Sequence, residues 1–413
     1  MRATALIALM LAVFVVSLGY GIVVPLLPYL IERSLGAGAS AQQVARTTGV
    51  LSALYALALF LFAPGWGRLS DRYGRRAVLL IGLVGFGATM LFFSSLEERA
   101  LVYAERFLSG MFASAVTPVA SAVVTDLAPT AERRARRLAV VSAAGITGVL
   151  LGPTVGVYVT RVANLLSRGA LASHSFAAPL VATGVLALLA AGMVALTIGG
   201  AHPHGAEPPA RAPLAGSRRI VLRLLALAFI VSAAIGSFHV GLALRGKQEL
   251  ALTPYQVAAM FTECSVVMLV AQAIVFSPVL KPDVTRWLIL PALAALAAGL
   301  LLVPRSSDYA SMLTVVGAVG TSAGVVSPIL TYWVSANAGA ARGAELGRQA
   351  AASSLGQTVG SAAGGFLFSV SASPSLAFVA TSGLVVLGVM LSVRLPRRLA
   401  CDQPRDLTVV SRS

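Results

Sequence analysis

Twelve long apolar stretches follow one another along this 413-residue sequence, separated by short polar segments. A helix that crosses a bilayer needs roughly 20 mostly apolar residues, because each residue adds only about 1.5 Å along the helix axis. We predict membrane spans at 4-30, 45-64, 77-95, 99-126, 138-160, 176-199, 219-244, 254-278, 284-304, 309-334, 345-370 and 374-394. The pattern predicts an all-α integral membrane protein with twelve transmembrane helices.

The composition argues against a water-soluble protein. Charged residues make up 11% of the chain, against about 25% in soluble globular domains. So few charges do not cover a soluble surface, and a cytosolic enzyme or a nucleic-acid-binding protein is not expected despite the net charge of +16. We expect the lipid bilayer to surround the chain, with no nucleic acid, metal or cofactor.

The basic residues predict an orientation in the membrane. If the N-terminus is cytoplasmic, 22 of the 31 Lys and Arg residues lie in cytoplasmic segments and 8 lie in outer segments. Cytoplasmic loops of membrane proteins carry such an excess. The sequence therefore predicts a multi-pass protein of the cell (inner) membrane with both termini in the cytoplasm.

A polar segment rich in Pro and Gly, at 201-218, divides the twelve stretches into two sets of six. Such a composition is typical of a flexible linker. We predict an N-terminal bundle at 1-200, a cytoplasmic linker at 201-218, a C-terminal bundle at 219-394 and a cytoplasmic tail at 395-413.

The two halves also repeat short patterns in the same order. The matching pairs are 14-17 with 229-232, 43-45 with 256-258, Gly110 with Gly320, and Gly145 with Gly356. An ordered set of internal matches indicates repeated structural units. Two related six-helix bundles around a cavity near the membrane midplane form a transporter architecture. The sequence therefore predicts two pseudo-symmetric bundles.

The segment 67-76, between predicted helices 2 and 3, combines glycines with opposite charges. Gly67 and Gly74 allow a tight turn. Asp71 can interact with a helix N-terminus, where an anion is stabilised by about 0.3–1 kcal/mol, and Arg75 can pair with a carboxylate at a neighbouring helix end. Such contacts would latch the cytoplasmic side in one conformation. The alternative is a solvated basic turn that only fixes topology.

This run resembles the G-x-L-x-D-x-x-G-R-R signature of the major facilitator superfamily. The resemblance implies that Asp126, at the inner end of predicted helix 4, joins the same charge cluster. The segments 19-28 and 106-110 resemble the first-helix and fourth-helix motifs of the twelve-helix drug:proton antiporter branch. The segment 55-64 most resembles tetracycline-type exporters.

The segment 145-156 resembles the antiporter motif of helix 5, G-x-x-G-x-x-x-G-P-x-x-G, which is associated with exporters. Its glycines form one small-residue face that lets a neighbouring helix pack closely, and the proline kinks the helix. The alternative for this face is ordinary tight packing. The residues of the motif are Gly145, Gly148, Gly152, Pro153 and Gly156.

Two acids, Glu105 and Glu263, fall within the predicted membrane spans. Glu263 is nine residues into predicted helix 8, or roughly 14 Å deep, where a charge costs about 2.5–3.5 kcal/mol unless it faces a cavity. Burial favours the protonated form of a carboxylate, so Glu263 is the first choice for proton coupling. The alternatives are a structural polar contact and substrate recognition.

The resemblance implies a role in proton transfer for Arg106. Glu105 precedes it and points about 100° away around the helix, so the two need not pair, and we expect Glu105 to meet a neighbouring helix or the outer interface. Predicted helix 1 contains no acid, unlike many members of the family, so recognition of a cationic drug by such an acid is not expected. The remaining candidates for the cavity are Tyr20, His239, Gln272 and Gln357.

These features together predict a monomeric, proton-driven exporter of a small amphipathic molecule that works by alternating access. One alternative is an uptake transporter for a metabolite or siderophore with different coupling, which the helix-5 motif disfavours. Another is a sensor that keeps the fold without transport.

Overall fold

The computed structural model describes residues 3–36, 38–94, 99–127, 131–166, 177–199, 215–275, 282–337, 342–370, 375–393 and 395. Within these ranges the chain forms twelve α-helices, one short 3₁₀ turn at Val303–Arg305 and no strand. The helices are α1 Ala3–Leu35, α2 Ala41–Tyr73, α3 Arg75–Phe93, α4 Arg99–Asp126, α5 Ala131–Leu166, α6 Ala177–Thr197, α7 Ala215–Gln248, α8 Pro254–Val275, α9 Pro282–Leu302, α10 Tyr309–Asn337, α11 Arg342–Val370 and α12 Ser375–Ser392.

The predicted class of twelve helices is confirmed, but several helices are longer than their apolar stretches. α4 has the predicted bounds, whereas α2 continues nine residues beyond 64 to Tyr73 and α5 begins at Ala131 instead of 138. Hydropathy marks only the part of a helix that lies in hydrocarbon, while the backbone hydrogen bonds continue into the polar interface. α7 begins at Ala215, inside the predicted linker, and residues 201–214 and 396–413 lie outside the described part of the chain.

Eleven of these helices are long and apolar enough to cross a membrane, and the exception is α11. This helix has 29 residues, but many of them are Ser, Gln or Gly. It packs along α7 and α2, which are both candidate spans. Contacts with protein rather than lipid therefore explain how a helix of low hydropathy lies among membrane spans.

Two corresponding helices begin with the same cap. The Ser40 hydroxyl accepts a hydrogen bond from the Gln43 backbone N–H, and the Gln43 side chain accepts one from the Ser40 N–H. At the start of α8, Thr253 and Gln256 exchange the same two bonds. This arrangement satisfies backbone donors that lack partners within a first turn. The sequence match between 43-45 and 256-258 therefore reflects equivalent helix starts.

The packing partners of the helices recur six helices later along the chain. α1 packs against α5 and α6, α2 against α4, and α3 against α4 and α6. In the second half, α7 packs against α11 and α12, α8 against α10, and α9 against α10 and α12. The main contacts between the first six and the last six helices are α2 with α11, α5 with α8 and α1 with α7.

We call the end of the bundle that holds residues 67-76 the motif end, and the opposite end, which holds residues 36–40, the far end. α1 runs from the motif end to the far end, α2 returns, and the direction alternates along the chain. The ends of α7 and α11 at Ala215 and Arg342 therefore lie at the motif end.

Glycines bring α5 onto α1 and α11 onto α7. A Cβ on Gly148 would collide with the Phe14 carbonyl, and a Cβ on Gly356 would collide with the Phe229 carbonyl. Since Phe14 and Phe229 are matched positions, the counterpart of Gly356 is Gly148. The sequence match of Gly356 with Gly145 was therefore one helical turn out of register.

Candidate functional site

The signature segment at 67-76 is mostly helical, which corrects the expectation of a loop. α2 continues to Tyr73, α3 begins at Arg75, and Gly74 alone separates them. Gly74 has φ +93° and ψ 145°, a conformation that is essentially restricted to glycine. A Cβ on Gly67 would meet no heavy atom within 4 Å, so the turn requires only the second of the two glycines.

Arg75 is the centre of a polar cluster at the motif end. Its Nη1 donates to the Ser70 hydroxyl at 2.6 Å, and its Nε donates to Asp126 Oδ2 at 3.1 Å. Arg75 also forms an ion pair with Asp71, whose side chain is 63% exposed. The expected pairing with an acid at the end of α4 is therefore present. The role of these residues as a latch stays a prediction.

Glu105 and Arg106 form an ion pair, contrary to the expectation that neighbouring side chains on a helix need not meet. Arg106 Nε lies 2.8 Å from Glu105 Oε2, and Arg106 Nη2 lies 3.1 Å from Oε1. Only 4% and 3% of the Arg106 and Glu105 side chains are exposed. Both side chains are long enough to fold toward each other across a 100° step. Burial requires a partner for each charge, which explains the pairing.

Aromatic rings connect this ion pair to the second half of the chain. The Arg106 guanidinium lies 4.7 Å from the centre of the Phe93 ring and 5.7 Å from that of Tyr55. The Tyr55 ring is stacked on Tyr20 at 5.4 Å. The Tyr20 hydroxyl accepts a hydrogen bond from Gln357 Nε2 at 2.5 Å. Two predicted cavity residues, Tyr20 and Gln357, are thus brought together, and no sequence pattern indicated the role of Tyr55 between them.

Glu263 points into the contact between α8 and α10, which both belong to the second half. Its Oε1 lies 3.3 Å from the position that a Cβ on Gly317 would occupy. Its Oε2 is buried without a hydrogen-bond partner in the described part of the chain. The residue of α8 that reaches the first half is Thr262, whose hydroxyl lies 2.8 Å from that of Thr154 on α5. Glu263 therefore points toward α10, one 100° step around the helix from Thr262, and its role in proton coupling stays a prediction.

The two other cavity candidates do not join the Tyr20–Gln357 contact. The His239 ring on α7 packs against Phe261 of α8, with ring centres 5.4 Å apart. Its Nδ1 is buried and has no hydrogen-bond partner within the described residues. Gln272 is half-buried near the motif end of α8. These positions are spread along the second half rather than gathered at one point.

The glycines of the antiporter motif lie at different distances from α1. A Cβ on Gly152 would lie 2.6 Å from the Gly21 Cα, and one on Gly148 would overlap the backbone of α1. The corresponding distances are 3.0 Å from Gly145 to the Val13 side chain and 3.2 Å from Gly156 to Ile22. Pro153 lies inside α5, which continues through it as one helix. The predicted small-residue face therefore exists, with its tightest contacts at the two middle glycines.

At the far end, Lys247 of α7 is tied to α1 of the other half. Its ammonium lies 2.5 Å from Glu32 Oε2 and donates to the Pro28 carbonyl at 2.8 Å. It also lies 5.0 Å from the centre of the Tyr29 ring, and the Tyr29 hydroxyl donates to the Leu252 carbonyl at 2.8 Å. These contacts hold the two halves together at the far end.

A second far-end contact joins α2 to α11. Arg46 Nε donates to the Ser369 hydroxyl at 2.9 Å, and its guanidinium lies 5.8 Å from the centre of the Phe366 ring. One turn deeper, a Cβ on Gly49 would lie 2.7 Å from the Gly365 Cα. The helices therefore touch at their backbones, which two glycines permit. The far end is closed at this crossing.

A profile described as "Major Facilitator Superfamily" matches residues 9–344. Multidrug resistance protein 1 of Bacillus subtilis (strain 168) is 24% identical over 395 residues, covering 94% of this chain and 95% of that protein. Quinolone resistance protein NorA of Staphylococcus aureus (strain COL) is 23% identical and covers 87% and 88%. The class C tetracycline resistance protein of Escherichia coli is 35% identical over 182 residues, or 44% and 41% of the two chains.

Solved structures show the same fold. The human organic anion transporter MFSD10 superimposes with a TM-score of 0.68 at 20% identity, covering 95% of this chain and all of that one. A bacterial homolog of the human lysosomal transporter Spinster, in an inward-facing and unoccupied conformation, gives a TM-score of 0.74 at 14% identity over 98% and 100% of the chains. Because the family profile covers most of the sequence, this multi-pass membrane protein belongs to the major facilitator superfamily of transporters.

Proposed function

We propose that this chain is a proton-coupled exporter of small amphipathic molecules in the bacterial cell membrane, and that it works by alternating access. The observation that carries the proposal is the closure of the far end by Lys247 and Arg46 across the two halves. At the motif end, the Arg75–Asp126 and Glu345–Arg348 ion pairs each stay within one half. A transporter that works by alternating access is closed at one end and open at the other in each of its states.

The orientation follows from the basic residues, whose excess assigns the motif end to the cytoplasm. The structure then corresponds to a state that opens toward the cytoplasm, from which an exporter loads its substrate. The recurring helix pairs support two pseudo-symmetric bundles, predicted at 1-200 and 219-394. We propose that the chain acts as a monomer. Export agrees with the helix-5 motif and with relatives named for resistance to drugs, quinolones and tetracycline.

The Glu105–Arg106 pair is the better candidate for the proton site, ahead of Glu263. The two-point geometry of the pair suits an ionised carboxylate, and the pair is linked through Tyr55 and Tyr20 to the other half. When Glu105 gains a proton, the Phe93 and Tyr55 rings still hold the Arg106 charge by cation–π attraction. Proton binding then changes the position of Arg106, and the two rings remain as partners of its buried positive charge.

The motif-end cluster serves as the latch of the opposite state. Asp71 is largely exposed here and pairs with Arg75 of its own half, so it can also meet a helix N-terminus of the second half when the motif end closes. Gly67 faces open space and can accept a helix in that state. We expect Asp71→Asn to slow transport cycles without abolishing substrate binding, and lost affinity with normal turnover would contradict this role.

Transport into proteoliposomes tests the proposal. We expect an imposed pH gradient to drive ethidium transport by the unmodified chain and by Asp308→Asn, a control at an exposed loop residue. Glu105→Gln should lose the dependence on the gradient, and Glu263→Gln should keep most of it. Because Glu105→Gln leaves the buried Arg106 charge with only the Phe93 and Tyr55 rings as partners, thermal unfolding is measured on each variant and the double variant Glu105→Gln/Arg106→Gln is included.

Each result separates the alternatives. Loss of coupling in Glu263→Gln with retention in Glu105→Gln reverses the assignment of the proton site. Dye binding without flux in the unmodified chain supports a sensor. Uptake of a metabolite along the proton gradient supports a symporter.

A further inference from the structure

A polar pocket lies between α7, α10 and α11, in the half of the bundle nearer the motif end. Its volume is about 230 Å³, enough for a ligand group rather than one water of roughly 30 Å³. None of the residues predicted for the cavity lines it. The lining residues are Ala228, Val231, Ser232, Ser327, Leu330, Thr331, Gln349 and Ser353.

The amide of Gln349 presents an unused acceptor in this pocket. The Thr331 hydroxyl donates its hydrogen to the Ser327 carbonyl at 3.1 Å, so its oxygen accepts from Gln349 Nε2 at 2.8 Å. In this arrangement the amide nitrogen faces Thr331 and the amide oxygen faces away from it. The Gln349 Oε1 atom is then buried with no hydrogen-bond partner among the described residues, and Gln349 itself is 8% exposed. A buried carbonyl oxygen without a partner favours a ligand that donates a hydrogen bond.

Glu345 adds negative charge one helical turn nearer the motif end. It is 3% exposed, and its Oε1 accepts from Arg348 at 2.6 Å. Its Oε2 is buried and has no partner in the described part of the chain. The Arg348 side chain is 66% exposed, so solvent screens its charge. Residues four apart share a face of a helix, so Glu345 and Gln349 present two unmatched acceptors on the same side of α11.

We propose that this pocket binds the N–H-bearing ammonium end of an organic amine. The unmatched Gln349 oxygen in the pocket requires a donor, and the Glu345 carboxylate one turn away favours a positive charge. The ligand is the exported molecule itself, so this part of the inference rests on the proposed function. Glu345 lies on α11 one helical turn beyond the lining residues, and Ser353 and Gln357 continue the polar face toward Tyr20.

The test compares two fluorescent amines of equal charge, dansylcadaverine and its N,N,N-trimethyl derivative, which has no N–H donor on the ammonium group. Binding is measured by fluorescence polarisation with the purified full chain in detergent. We expect the primary ammonium to bind about tenfold more tightly, as for loss of one hydrogen bond to a charged group. This comparison uses the unmodified protein, so it does not depend on the folding of a variant.

Gln349→Leu separates hydrogen bonding from size. Leucine has a similar volume, and Thr331 keeps its bond to Ser327. We expect the preference for the primary amine to fall from about tenfold toward one, while Gln42→Leu, at an exposed glutamine of the far end, keeps it. Glu345→Gln should weaken binding of both probes. Thermal unfolding confirms that each variant is folded.

Three results overturn the proposal: equal affinity for the two probes, a preference that persists in Gln349→Leu, and no binding of either probe by the unmodified chain. Flux of both probes is also measured in proteoliposomes, so that failure of the pocket proposal can be distinguished from failure of the exporter proposal. Selective binding without pH-driven flux means that the exporter proposal fails and the pocket stands. Flux of both probes without selectivity means that the pocket fails and the exporter proposal stands.

Discussion

The Tyr20 hydroxyl on α1 accepts a hydrogen bond from the Gln357 side-chain amide on α11, with 2.5 Å between the two atoms. These residues belong to opposite halves of the chain and lie near the middle of their helices. Tyr20 also stacks on Tyr55, which lies beside the buried Arg106 guanidinium. A series of contacts through Tyr55 and Tyr20 therefore connects the buried Glu105–Arg106 ion pair to the other half of the chain.

Removing this bond should loosen the state that is closed at the far end. Tyr20→Phe keeps the ring but leaves the Gln357 amide without its acceptor, which costs about 0.5–1.5 kcal/mol. We expect a population shift of about two- to tenfold toward opening at the far end. Gln42 and Tyr255 are exposed at the far end of α2 and α8. Double electron–electron resonance between spin labels at these two positions measures how far apart the two halves lie at the far end. Tyr158→Phe, at a tyrosine that is 64% exposed, is the control, and identical distributions in the two variants would contradict the role of the bond.

The sequence was sufficient to predict twelve helices, because a lipid environment leaves the backbone few other ways to satisfy its hydrogen bonds. It was also sufficient to pair Arg75 with Asp126, through a family motif. It predicted the depth of Glu263 but not its contact with α10, because depth in a helix does not determine the direction of a side chain. The sequence indicates the polar face of α11 through the four-residue spacing of Glu345, Gln349 and Ser353. The far-end contacts have none, because they join residues more than 200 positions apart.

The glycine crossing of α2 and α11 should control closure of the far end. A Cβ on Gly365 would lie 2.5 Å from the Gly49 Cα, so Gly365→Ala forces two backbones apart. We expect this variant to populate the open far end, with faster labelling of a cysteine placed at Ala45, a buried position beside this crossing. Gly383→Ala is the matched control, because a Cβ there meets nothing within 4 Å and alanine favours the helix by about 1 kcal/mol. Equal labelling rates in the two variants would show that the crossing does not set closure.

Asp308 should make the start of α10 sensitive to acid. The Ser311 backbone N–H donates to Asp308 Oδ1 at 2.7 Å and lowers the pKa of this carboxyl below its usual value. A carboxyl with a lowered pKa stabilises the fold above its unfolded pKa of about 3.9, and the contribution disappears as the pH falls through the folded pKa. Asp308→Asn keeps a capping side chain without titrating. We expect the difference in unfolding temperature between the two proteins to be constant from about pH 5 to 8 and to change against the unmodified chain below about pH 4. A difference that stays constant down to pH 3 would contradict this account.

The two signature glycines, Gly67 and Gly74, should respond oppositely to alanine. Gly74 has a positive φ of 93°, so Gly74→Ala strains the backbone by about 1–3 kcal/mol and displaces Arg75 from Asp126. Gly67 lies inside α2, and a Cβ added there would face open space, so Gly67→Ala should keep or raise the unfolding temperature of this state.

Transport should nevertheless slow in Gly67→Ala, because the motif end closes over this position in the proposed opposite state. Thermal unfolding and the initial rate of pH-driven ethidium flux, measured on both variants, distinguish the two effects. A stable Gly67→Ala protein with an unchanged rate would mean that no helix approaches Gly67 in the transport cycle. The latch would then depend on the ion pairs of Arg75 with Asp71 and Asp126. Of the two signature glycines only Gly74 would contribute to it, because Gly74 forms the turn that positions Arg75.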